Sequence, residues 1–83
     1  MTPTSIQRTQ TGVRIESSLL KVLKGLAEYT DLSLGDLLEG IVLHAFEGRA
    51  PFPAETLQVI EQLKVVYGCK LTAGDSHRLV EED

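Results

Sequence analysis

The imidazole and thiol side chains, which suit a transition metal or nucleophilic chemistry, number three in this sequence: His44, Cys69 and His77. A structural zinc site takes four ligands at regular short spacing, and a thiol nucleophile takes a positioned base. One cysteine and two scattered histidines satisfy neither, so no metal, no catalytic residue and no enzymatic activity is expected. No glycine-rich phosphate loop follows a strand and no serine lies on a nucleophile turn, so no cofactor is expected either. The chemistry that remains is that of charge and hydrogen bonding. Residues 1–15 carry Arg8 and Arg14 with no acid, whereas all twelve Asp and Glu lie beyond them against the other six of the eight Lys and Arg, a balance of −6. The formal net charge of −4, taken as one sum, counts against a nucleic-acid partner. The positive charge is concentrated on one short segment.

Elements of secondary structure must hold those arginines. Residues 1–9 are polar and read as a mobile arm. From Gln10 the pattern alternates: Thr11, Val13 and Ile15 face one way, Gln10, Gly12 and Arg14 the other, the period of a strand with one buried face. Ser17 is the expected N-cap of a first helix over 17–29, whose stripe is Leu19, Val22, Leu23, Leu26 and Ala27. The stretch "YTDLS" interrupts it. Ser33, with Asp36 three residues on, starts a second helix over 34–47 in a capping-box-like way. Leu34, Leu37, Leu38, Ile41, Val42, Ala45 and Phe46, with Leu43 as a second flank, make this helix apolar over so much of its circumference that it should be buried on more than one side. Gly48 suits the position after that helix, and Pro51 and Pro53 make a short rigid connection. A third helix then starts at Ala54, with a stripe of Leu57, Ile60, Leu63, Val66 and Tyr67, and ends at Gly68. A further short helix from Thr72, with Asp75 three residues later, precedes the acidic end "EED".

A strand with no neighbour leaves a row of unpaired backbone groups, and even two strands alone are marginal in water. The chain offers no second alternating stretch. Pairing with the same strand of a second copy about a two-fold axis resolves this and also gives the over-apolar second helix a surface to bury against. At 83 residues a lone core is marginal, which favours oligomerisation. The expected core of that dimer is Val13, Ile15, Leu38, Ile41 and Val42.

Residues 8–48, with "QTGVRI" as ribbon, "SSLLKVLKGLAEYTD" as first helix and "LSLGDLLEGIVLHAFEG" as second, resemble the ribbon-helix-helix DNA-binding proteins, the class of the Arc and methionine repressors. The resemblance implies a mainly α fold: a ribbon-helix-helix homodimer with an intersubunit two-stranded antiparallel β-ribbon and, here, an extra C-terminal helix. It implies that Gln10, Gly12 and Arg14 face the major groove of double-stranded DNA and that amides at Ser33, Leu34 and Gly35 hold a phosphate, with Arg8 reaching another from the arm. Gly12 brings no side chain to that set, and Asp36 sets a negative charge beside the phosphate position.

The organisation expected is an arm over 1–9, a core over 10–48 and a helical extension with an acidic tail over 49–83. The function expected is a homodimeric, sequence-specific DNA-binding protein, a cytoplasmic transcriptional regulator. The alternative is a dimeric, antitoxin-like interaction module whose C-terminal extension binds a partner protein. No apolar run suits a membrane span, so no membrane partner is expected.

Overall fold

In the computed structural model, which describes residues 3–82, three α-helices precede one short 3-10 turn: α1 Ser17–Thr30, α2 Leu34–Phe46, α3 Ala54–Tyr67 and the turn Ala73–Asp75. The N-cap of α1 is Glu16 rather than the expected Ser17: its carboxylate accepts from the amides of Ser18 and Leu19 and from the Ser18 hydroxyl. The hydroxyl bond first, and then the amide bonds, hold the Glu16 carboxyl below the usual carboxylate range. Ser33 caps α2 as its type and spacing predict, accepting from the Asp36 amide. The turn after Thr72 closes a full capping box, in which Thr72 and Asp75 satisfy each other's backbone amides.

All three helices stop in the same way. A residue just past the last turn, the first after α1 and α3 and the second after α2, takes a left-handed conformation, and two amides fold back on the helix's final carbonyls. Gly48 and Gly68 do this at φ of 68° and 66°, where a side chain would be strained. After α1 the position is held by Asp31, whose short polar side chain tolerates it. The amide of Leu32 reaches Ala27, that of Arg49 reaches His44, and that of Cys69 reaches Lys64. The residue in Cys69's position of this motif commonly makes an apolar contact. Cys69 is accordingly buried as a small hydrophobe, in the cleft lined by Leu19, Val22 and Ile60.

Helix α1 is the middle of the molecule. Both α2 and α3 pack on it, and among the described residues the backbones of α2 and α3 do not approach each other closely. Leu26, Ala27 and Leu37 form the centre of the core, with Leu23, Ile41, Phe52, Ile60 and Leu63 around them. Gly25 lets α3 come close: a Cβ there would stand 3.1 Å from a Leu63 methyl and 3.5 Å from the Tyr67 ring.

The fold expected from the sequence is corrected in one respect. Among the described residues there is no strand, so the intersubunit two-stranded antiparallel β-ribbon, and with it the ribbon-helix-helix homodimer as the fold, is replaced by a single three-helix chain. A ladder needs a second row of backbone groups, and none of the described residues supplies one to residues 10–15. Alternation of side chains sets which way each would point in a strand; it does not supply the partner. The mainly α class stands.

The result is open for its size. The radius of gyration is 14.2 Å, against about 12 Å for a compact domain of this length. The accessible surface is 7327 Å², against about 4,900 Å² for a compact monomer of this mass. No helix among the described residues is long and apolar enough to cross a membrane.

Candidate nucleic-acid interface

The segment before α1 has neither helix nor turn, and it lies exposed from Pro3 to Arg14. Three ion pairs, from two arginines, tie it to the rest of the chain. The Arg8 guanidinium forks onto Glu39, Nε to Oε2 at 3.0 Å and Nη2 to Oε1 at 2.9 Å, and the same Nη2 reaches Asp36 Oδ1 at 3.1 Å. Asp36 and Glu39 are three residues apart on α2 and therefore share a face of its first turns. The hydrogen bond from Arg8 holds the Glu39 carboxyl below its ordinary range, and Glu39 in turn raises Arg8 above its own. Arg14 pairs with Glu81, near the far end of the chain.

These contacts bring Arg8 to the start of α2, where Ser33, Leu34 and Gly35 lie. There the first amides of the helix have no intrahelical acceptor, and the aligned peptide dipoles leave a partial positive charge. Gly35 is exposed, with open space where a Cβ would be, while Leu34 is half-buried. Asp36 offsets part of that charge, and Arg8 bridges it. Gln10 and Gly12 are exposed, and Gly12 has no atom within 4 Å of where a Cβ would stand. Arg14 is drawn instead toward the C-terminal segment, where residues 14–17 and 79–82 line a common cleft. The expected set is thus divided: Arg8 with the α2 start in one place, Arg14 with residues 79–82 in another.

The residues expected in a dimer core are not enclosed by the single chain. Val13 is 73% exposed, Val42 is exposed, and Ile15, Leu38 and Ile41 are half-buried, Ile41 against the core cluster. Beside Val42 on the last turns of α2, Leu43 and Phe46 also face outward, Phe46 at 82% exposure.

The chemistry-bearing residues of the second half stay apart. Cys69 is buried, and His44 Nδ1 lies 2.7 Å from the Gly40 carbonyl one turn back in its own helix. Among the described residues no three His, Cys, Asp or Glu gather where a metal ion could be held. Glu39 and Glu81 are the participants that a reading of the sequence misses. The i, i+3 spacing of Asp36 and Glu39 is legible on a helix, but which cation comes to it is not. Comparison with protein-family models, curated proteins and solved structures finds no match to this chain.

Proposed function

We propose that this chain is a homodimeric, sequence-specific DNA-binding protein, a transcriptional regulator working in the cytoplasm, that meets DNA with residues 8–14 and the amide end of α2. The observation that carries this reading is the placement of Arg8, on a segment with no acid of its own, beside the start of α2. A guanidinium and the first helix amides other than that of Asp36, which Ser33 caps, could both take phosphate oxygens. Arg14 could pair bidentately with guanine O6 and N7, and Gln10 with adenine N6 and N7, each pair adding about 1–3 kcal/mol of discrimination. Dimerisation is supported by the outward apolar face of α2 and by an accessible surface of 7327 Å². That exceeds a compact monomer's by about 2,400 Å², more than the roughly 800 Å² per partner that a standard interface covers. Two copies would present two binding segments and favour a site with two-fold symmetry.

Selection from random duplex DNA followed by fluorescence anisotropy tests this. Affinity for the selected site should fall linearly with log salt, by about 0.9 per phosphate neutralised. Arg14→Ala should weaken binding and relax the selected sequence, by about 1–3 kcal/mol at one base position. Failure to select any sequence would overturn the reading.

A second reading is favoured by the exposed apolar residues Leu57, Val65 and Val66 on α3. In it the chain is a dimeric, antitoxin-like module whose extension over 49–83 binds a partner protein. A second protein that co-purifies with the intact chain and is lost on Val65→Lys would support it; a clean homodimer would count against it.

A further inference from the structure

The two arginines of the N-terminal segment are each met by carboxylates of their own chain, and for Arg14 the carboxylate belongs to the C-terminal tail. We infer that this tail is an intramolecular mask: Glu81, with Glu82 beside it, occupies the Arg14 guanidinium that DNA would use, so that DNA binds in competition with the chain's own acidic end. This rests on the DNA-binding reading above and adds a regulatory element to it.

The geometry has three parts. Glu81 Oε1 takes Arg14 Nη2, which leaves that edge of the guanidinium fork unavailable to a guanine or a phosphate. Residues 79–82 run along residues 14–17 over the cleft that both line, so the tail reaches the segment as a stretch rather than through one side chain. Leu79, itself half exposed, lines that cleft and also the apolar one lined by Val22, Ile60 and Cys69, which sets the tail on the α1–α3 side of the molecule.

A tethered carboxylate competes at an effective concentration set by its short tether rather than by solution. Arg14 and Glu81 are nonetheless 85% and 66% exposed, and ion pairs that open to water are weak and salt-screened. A mask of that strength discourages casual contacts with DNA and yields to a duplex that makes several contacts at once.

The test uses the full chain carrying Glu81→Gln with Glu82→Gln, and a mixed-sequence duplex of about two helical turns. A control, Glu55→Gln with Glu61→Gln on exposed positions of α3, removes the same charge elsewhere. Anisotropy at low salt should show the tail variant binding about two- to fivefold tighter than the parent, with a smaller change for the control and convergence as salt rises. In an Arg14→Gln background the gain should vanish, because the mask then has nothing to cover. A gain equal to the control's, or one that persists without Arg14, overturns the mask while leaving DNA binding in place. Absence of binding by every variant overturns the DNA-binding reading and the mask together.

Discussion

Helices α1 and α2 invert the usual relation between apolarity and burial. In α1 three residues, Val22, Leu26 and Ala27, are buried, and the helix supports both of its neighbours. Helix α2 is the more apolar, with Leu34, Leu37, Leu38, Ile41, Val42, Leu43, Ala45 and Phe46 among its thirteen residues, yet only Leu37 is buried. The difference is one of placement: α1 lies between two helices, while α2 touches α1 on one side and meets no helix on the other. An apolar stripe is stabilising only when something removes it from water, at about 25 cal/mol per Å². The outer face of α2 therefore stays in contact with water in the single chain, and it is the face that the proposed dimer would cover.

Substitutions on the two helices should separate accordingly. Leu26→Ala, at a side chain only 2% exposed, should lower unfolding stability by about 2–5 kcal/mol in urea titrations, by the same amount at low and high protein concentration. Phe46→Ala should act on association instead. Loss of an aromatic anchor from the proposed interface should weaken association by about 2 kcal/mol, roughly thirtyfold in dissociation constant by sedimentation equilibrium. A parent chain that sediments as a monomer at high concentration would break the comparison outright. The glycines give the smallest and sharpest contrast. Gly40→Ala on α2 meets open space, so it should stabilise the helix by about 0.5–1 kcal/mol in thermal unfolding. Gly25→Ala on α1 must push aside Leu63 at 3.1 Å and should lose most or all of that gain. Equal gains at both positions would mean that α3 sits less closely on α1 than described.

Much of the helical layout was legible in the residues. The stripe of α1, Ser33 before α2, Gly48 after it, Pro53 ahead of α3 and Gly68 at its end each act within one or two turns, and the structure places the helix ends within a residue of where they point. Thr72 and Asp75 mark the last turn for the same reason. The cap of α1 was missed because Ser17 is the more usual type, whereas the longer side chain of Glu16 reaches two amides and a hydroxyl at once. Gly25 and Gly40 look alike in the sequence, since both are glycines inside helices; what distinguishes them is the proximity of Leu63 and Tyr67 to only one. In the candidate interface, the exposure of Arg8, Gln10 and Arg14 follows from their polarity. The carboxylates they meet do not, because Glu39 is 31 residues from Arg8 and Glu81 is 67 from Arg14.

Period and punctuation in the sequence by themselves determined the three helices, their boundaries, the excess apolarity of α2 and the concentration of base without acid in residues 1–15, because each depends on forces that act between near neighbours along the chain. Tertiary structure alone decided that residues 10–15 form no ladder, that α1 rather than the more apolar α2 is the central helix, and that both arginines are held by carboxylates. A strand, a core position and an ion pair each need a second party brought close in space. Alternation, apolarity and charge state what a residue can pair with, and only the path of the backbone determines what it meets.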